Sequence, residues 1–190
     1  MSILSPQVVI EHGWVTGLSQ YYEPEGAGID LRLGKISTIS QNSRGFLGRV
    51  ERATPQSKVI HESTNYLEDF SFAFPPLISI SQETNEIMVG KYCLFTTLEE
   101  VHLPDNITAL ITPRSTLYRS GIILETGNVA PGYSGTLTFG AMNLGMWTFE
   151  ILSRARFAHI QFYEVDGDVN KYRGQWQHGR ISQPDLEVQV

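Results

Sequence analysis

Short strand-like segments follow one another through most of this chain, and their succession limits what it can fold into. In GAGIDLRLGKISTI (26–39), Ile29, Leu31 and Leu33 alternate with Asp30 and polar or small neighbours, as in a half-buried strand. Further segments of this kind are LISISQ, KYCLFTTLEEV, ITALITP, GTLTFGAMN, MWTFEIL and RFAHIQFYEV. No long helical period occurs after residue 20. Short strands separated by turn residues predict an all-β fold, a sandwich or a barrel.

One short helix is predicted at the start of the chain, in SPQVVIEHGWVTG. Ser5 is a suitable cap, Pro6 suits the first turn, and Gly13 is expected to end the helix.

Two segments stand apart from the strand pattern. Residues 41–76 mix basic residues with scattered aromatics and finish at two prolines, which predicts an inserted hairpin or loop of open role. From Asp166 onward the chain is polar and rich in glycine, which predicts a flexible tail. We therefore expect one domain over 1–165, with the insert, and a tail over 166–190.

Composition excludes several classes of function. The net charge of -6 argues against binding of a nucleic acid polymer. Cys93 is the one cysteine, so neither a disulfide within the chain nor a cysteine zinc site is available, and the five histidines are scattered. No apolar run approaches the roughly 18 residues needed to span a bilayer. We expect a cytoplasmic protein that does not bind membranes.

The segment PRSTLYRSG (113–121) can provide a phosphate site. It places Arg114, Ser115, Thr116 and Arg119 after a predicted strand. Guanidinium forks, hydroxyls and exposed backbone N–H groups at such a turn can surround phosphate oxygens. The same composition is also typical of an ordinary surface turn.

The segment ETGNVAPGYSG (125–135) has three glycines and a proline, which predict a long turn. A tight turn of this kind lets the main chain approach a flat ligand such as a base. A plain hairpin connection is the alternative.

The order of these motifs resembles that of the dCTP deaminase and dUTPase family. PRSTLYRSG is similar to its Ser-Arg motif, and PGYSGTLTF followed by Asn143 is similar to its next block. GAGIDLRLG resembles the first conserved strand, and LEEVHLPDNITALI resembles the strand-turn-strand before the Ser-Arg motif. KYRGQWQHGRIS resembles the tail of the deaminase branch. The resemblance leaves out mainly residues 41–76.

The resemblance implies a distorted β-barrel or jelly roll that forms a homotrimer, with a deoxynucleoside triphosphate bound between subunits. Arg114, Ser115 and Thr116 would contact phosphates, and Arg119 of a neighbouring subunit would lie beside the reacting group. Lys171 and Gln175 would close over the triphosphate, while the turn at 127–129 would face the base and sugar. The implied nucleotide-binding residues are Arg114, Ser115, Thr116, Arg119, Gly127, Asn128, Val129, Tyr133, Lys171 and Gln175.

Two positions depart from the family pattern. Ala130 stands where members carry an Asp before Pro-Gly, and Gly140 stands where deaminases carry the Glu that moves protons. Metal-free deamination needs such a group, because water must lose a proton and the departing ammonia must gain one. Glu125 is the candidate to replace it; the alternative is a solvated turn residue.

The sequence thus supports an enzyme that deaminates dCTP or hydrolyses dUTP, and the tail favours the deaminase branch. If pyrophosphate is released, we expect Mg²⁺ held mostly by substrate phosphates. The alternative is a catalytically silent protein that sequesters or senses a nucleotide, since Ala130 and Gly140 replace both acidic positions. A purely structural trimer would leave the retained arginines unexplained.

Overall fold

The structure is a computed structural model and describes residues 2–20, 22–63 and 84–189. The α-helices in these ranges are α1 (Pro6–Glu11) and α2 (Ser115–Arg119), and a short 3-10 helix spans Gln177–Gly179. The strands are β1 (Val15–Thr16), β2 (Ile29–Ile39), β3 (Phe46–Leu47), β4 (Glu51–Ala53), β5 (Ser57–Glu62), β6 (Thr84–Ile87), β7 (Tyr92–His102), β8 (Ile107–Pro113), β9 (Ile122–Glu125), β10 (Asn128–Val129), β11 (Ser134–Asn143), β12 (Phe149–Leu152), β13 (Arg156–Glu164) and β14 (Glu187–Val188). The segment LISISQ (77–82) lies outside the described residues.

One large antiparallel sheet dominates the fold. Its strand order is β10-β8-β13-β2-β7-β11-β9, with β1 paired to β7 and β5 paired to β2. Smaller sheets are formed by β12 with β6, and by β14, β4 and β3. The large sheet curls into half of a barrel, which confirms the prediction of an all-β, distorted barrel fold.

Alternation along the strands fills the core. Ile29, Leu31 and Leu33 are fully buried, as predicted. Phe157 lies at the centre, with its ring edge-on to Phe95 (5.6 Å) and inclined to Phe139 (6.0 Å). Each fully buried side chain of this size contributes roughly 1.5–3 kcal/mol of transfer free energy. The core therefore fixes which face of each strand is left for a site.

The predicted N-terminal helix is confirmed. The Ser5 hydroxyl accepts a hydrogen bond from the Val8 N–H (3.4 Å), and Pro6 occupies the first turn. Gly13 follows the helix with a φ of 67°, a conformation that glycine adopts without strain. Within the described residues, no helix is long and apolar enough to cross a membrane.

The tail and the described part of the insert contact each other. Residues 41–63 contain β3, β4 and β5, and β4 pairs with β14 of the tail. The tail also contacts the barrel. The Gln177 side chain accepts a hydrogen bond from the Ser134 N–H (2.8 Å) and donates one to the Gly132 carbonyl (2.9 Å). A Cβ on Gly135 would lie 2.6 Å from the backbone N of Gly179, so this approach requires glycine.

Candidate functional site

A cavity of about 610 Å³ lies between the large sheet and the tail. Its lining includes residues 136–139 of β11, the end of β9, the segment 127–130 and part of the tail. The sequence-predicted residues that line it are Glu125, Gly127, Asn128, Val129 and Tyr133. Four of the ten nucleotide-binding candidates are thus brought to one place, together with Glu125 and Ala130.

Glu125, which lines the cavity, lies directly beside Gly140 on the neighbouring strand. They are partners in the antiparallel pairing of β9 with β11, and directly paired residues point to the same face of a sheet. Thr136 and Thr138 share that face, because they alternate with the buried Leu137. Glu125 is exposed and has no hydrogen-bond or ion-pair partner among the described residues. It is the last residue of β9, rather than part of a turn as the sequence suggested.

The hydroxyl of Tyr92 lies next to Gly140. Tyr92 is on β7, the strand that flanks β11 on the side opposite to β9. A Cβ on Gly140 would be 3.0 Å from the Tyr92 Cζ and 3.1 Å from its Cε2, and closer still to the hydroxyl oxygen. Burial raises the pKa of Tyr92, and the neighbouring Cys93 and Glu125 raise it further. The phenol is therefore protonated at neutral pH and can donate a hydrogen bond. Motif order gave no signal for this residue.

The segment 127–130 is fixed to the strand that precedes α2. The Ile111 N–H donates to the Gly127 carbonyl (3.1 Å), and the Thr108 hydroxyl donates to the Val129 carbonyl (2.9 Å). Asn128 and Val129 form β10, so the long turn predicted over 125–135 is interrupted by two paired residues. The exposed Gly127 and Asn128 present main-chain groups at the cavity.

Tyr133 is a wall residue whose hydroxyl is already occupied. It is buried, and its hydroxyl donates to the Thr136 carbonyl (2.5 Å). Burial is the main reason that its pKa rises to about 12. Its ring stands edge-on to Tyr172 of the tail, with 5.4 Å between centroids. Tyr133 can therefore shape the cavity and hold the tail, but its hydroxyl is not free for a ligand.

The predicted phosphate residues lie together at α2, outside the lining of this cavity. Arg114 immediately precedes the helix, and Ser115, Thr116 and Arg119 are exposed on it. Arg119 has no hydrogen bond or ion pair within the described ranges. In one chain, the structure does not join the cavity and the α2 residues into a single site.

Arg114 is held by a buried carboxylate that sequence reasoning did not select. Its Nη1 donates to Asp30, which also accepts from Arg156 (3.3 Å) and contacts the His159 ring (3.0 Å). Burial alone would raise the pKa of Asp30, but hydrogen bonds from His159 and Arg114 outweigh it and lower that pKa. The arrangement orients the Arg114 guanidinium next to α2.

Lys171 and Gln175 do not line the cavity, although neighbouring tail residues do. Lys171 forms an exposed ion pair with Asp105 (2.7 Å), and Gln175 donates to the Val188 carbonyl (2.8 Å). The buried amide oxygen of Gln175 lacks a partner in the described part of the chain. The tail residues that line the cavity are Tyr172, Trp176, Arg180 and Ile181.

Trp176 lies beside two cations. The guanidinium carbons of Arg52 and Arg180 lie 5.5 and 5.4 Å from its ring centroid. Arg180 also donates to both carboxylate oxygens of Glu187 (2.7 Å each). This cluster fastens the tail over the cavity. Among the residues described, no group of three or more His, Cys, Asp or Glu side chains could hold a metal ion.

Comparison with known proteins gives consistent results. A family model described as dCTP deaminase-like matches residues 18–165. The chain is 33% identical over 109 residues to a dCTP deaminase of Pyrococcus furiosus, covering 56% of this chain and 70% of that protein. It is 28% identical over 151 residues to a probable deoxyuridine 5'-triphosphate nucleotidohydrolase of Methanothermobacter thermautotrophicus, covering 80% and 85% respectively.

A solved structure shares the fold. The 2'-deoxycytidine 5'-triphosphate deaminase from Agrobacterium tumefaciens superimposes with a TM-score of 0.58 at 15% identity. The match covers 84% of this chain but 46% of that chain, so this chain spans less than half of its length.

Proposed function

Because the chain belongs to the dCTP deaminase-like family, we propose that it binds a pyrimidine deoxynucleoside triphosphate and deaminates dCTP or hydrolyses dUTP. The observation that carries this proposal is the cavity lined by the segment 127–130 and by Glu125, whose cross-strand partner is Gly140. The main-chain groups of that segment would face the base and sugar. The triphosphate would run toward Arg114, Ser115 and Thr116.

The separation of the cavity from α2 supports a site shared between subunits. Arg119 is exposed, has no hydrogen bond or ion pair among the described residues and does not line the cavity of its own chain, so a second copy could supply it there. We therefore propose a homotrimer in which Arg119 of one subunit completes the cavity of another. Cyclic symmetry repeats such a heterologous contact until the ring closes.

Deamination is the favoured reaction. Among the cavity-lining residues described, Glu125 is the sole carboxylate, while the Ala130 side chain has no oxygen to orient a water for phosphate chemistry. Glu125 would act as the proton-transfer group at the base. If pyrophosphate is also released, the nucleotide would arrive as its Mg²⁺ complex, since Mg²⁺ is commonly held by substrate phosphates.

A second function is a catalytically silent nucleotide-binding protein. Ala130 and Gly140 favour it, because neither can transfer a proton. In that case the cavity and tail would sequester or sense the nucleotide.

The deciding experiment supplies purified protein with dCTP and with dUTP in the presence of Mg²⁺. Ammonia and pyrophosphate release are followed, and nucleotide binding is measured by calorimetry. Ammonia from dCTP supports the deaminase, and tight binding without either product supports the silent protein. Absence of binding by both nucleotides would overturn both functions.

A further inference from the structure

The volume next to Gly140 is filled by Tyr92. Gly140 is on β11 and Tyr92 is on the neighbouring strand β7. Gly140 pairs with Leu94, and Tyr92, two residues before Leu94, extends its side chain diagonally to Gly140. Glu125 stands on the opposite side of Gly140. A phenol and a carboxylate thus flank, within one cavity wall, the position that has lost its side chain.

We propose that Tyr92 is a further catalytic residue, and that its hydroxyl acts with Glu125 in place of a side chain on residue 140. This inference rests on the proposed function. It goes beyond replacement of the missing acidic group by Glu125 alone, because Tyr92 on β7 and Glu125 on β9 would each have a separate catalytic role. Cytosine bound in the cavity would present C4 and its amino group to both.

The two groups have different capacities. A protonated phenol donates a hydrogen bond, and the raised pKa of Tyr92 keeps it protonated. An ionised carboxylate accepts a proton. Tyr92 would donate to the oxygen that adds at C4, where negative charge develops, while Glu125 moves protons.

The reaction balances with water as the one co-reactant. Water oxygen forms a bond to C4, and Glu125 carries one water proton to N3 of the ring. Glu125 then carries the second proton from the new C4 hydroxyl to the amino nitrogen. The bond from C4 to that nitrogen breaks, ammonia leaves, and C4 keeps the oxygen as a carbonyl.

Gly140 gives a way to move the Tyr92 hydroxyl without changing Tyr92. A methyl group at 140 would overlap the end of the tyrosine side chain, not backbone, so the ring would shift while the sheet remains paired. Gly140→Ala should therefore reproduce the effect of Tyr92→Phe.

The test is a double-mutant cycle on ammonia release from dCTP under single turnover. Tyr92→Phe, Gly140→Ala and their combination are compared, with dCTP affinity and urea unfolding measured for each. Tyr163→Phe is the matched control, because its hydroxyl contacts Gln161 on β13. Each single change should slow release about 100-fold, as for loss of one donor to a developing oxyanion, with dCTP affinity retained. The double variant should be no slower than the slower single one.

The outcomes separate this inference from the function on which it rests. Wild-type release of ammonia with no loss in Tyr92→Phe would overturn the role of Tyr92 and leave the deaminase standing. Multiplied losses in the double variant would also overturn it, because they would show independent effects. A wild-type protein that binds dCTP without releasing ammonia would overturn both the inference and the deaminase.

Discussion

Arg114 donates a hydrogen bond to the buried carboxylate of Asp30, so a guanidinium expected to meet phosphate is already oriented within its own chain. Arg156 and His159 contact the same carboxylate. One anion thus holds three nitrogen-bearing side chains beside α2. This is a fixed arrangement, since the Asp30 side chain is only 8% exposed.

Asp30→Asn should destabilise the fold by about 2 kcal/mol at pH 7. This loss of stability is smaller than the loss on breaking a fully buried ion pair, because both arginines are partly solvated. The folded-state pKa of Asp30 lies below 3.8, so its contribution is complete above that pH and is lost as pH falls through the folded value. Urea unfolding should therefore show the two proteins converging in stability below pH 3.8.

Asp105→Asn is the matched control for that change. Asp105 pairs with Lys171 at the surface, and exposed pairs contribute at most about 1 kcal/mol. Equal stability of wild type and Asp30→Asn at pH 7 would show that the cluster does not stabilise the fold.

Glu125→Gln should lower turnover of dCTP about 100-fold or more while leaving its affinity unchanged. The amide keeps the shape of the side chain but cannot take a proton from water. Single-turnover ammonia release and calorimetry measure the two quantities. Glu150→Gln, an exposed change on β12, is the control. Unchanged turnover would leave Glu125 as a solvated residue at a strand end.

Truncation after Asp168 should weaken nucleotide binding about tenfold without changing the oligomeric state. It removes the tail side of the cavity, and with it an already ordered binding surface. Calorimetry and light scattering are the measurements. Unaltered affinity would show that Lys171, Gln175 and their neighbours do not serve the ligand.

Gly179→Ala should also weaken nucleotide binding, but by less than truncation of the tail. Gly179 has a φ of 72°, and a Cβ there would overlap the Thr136 hydroxyl. Gly167→Ala is matched for the unfavourable φ (96°), yet nothing lies within 4 Å of its Cβ position. Weaker binding in the first variant alone would tie the effect to docking of the tail. Equal affinities would contradict it.

The barrel strands could be predicted because alternation of apolar residues reports which face of a strand is buried. The sequence also predicted that Glu125 could serve position 140, because the order of the motifs placed the two residues in neighbouring blocks. The role of Tyr92 could not be predicted in this way, because only the pairing of the strands brings β7 next to Gly140. The sequence placed Asp30 on the polar side of a half-buried strand, and its burial depends on contacts with Arg156 and His159 of β13. Likewise, polar composition in the tail does not report the contacts of Gln177 with the barrel.

Mixed oligomers test whether sites are shared between chains. Arg119→Ala and Glu125→Gln subunits should each release ammonia far more slowly than wild type when assembled alone. After unfolding together and refolding in equal amounts, about a quarter of the sites should contain both intact residues. Recovered ammonia release is the expected result. A mixture as inactive as its components would contradict a site built from two subunits.

The most direct measurement is a crystal structure of the Glu125→Gln variant soaked with dCTP. We predict cytosine density in the cavity between residue 125 and the Tyr92 hydroxyl, with the triphosphate at Arg114, Ser115 and Arg119 from two subunits. A nucleotide bound elsewhere, with this cavity free of it, would contradict the account.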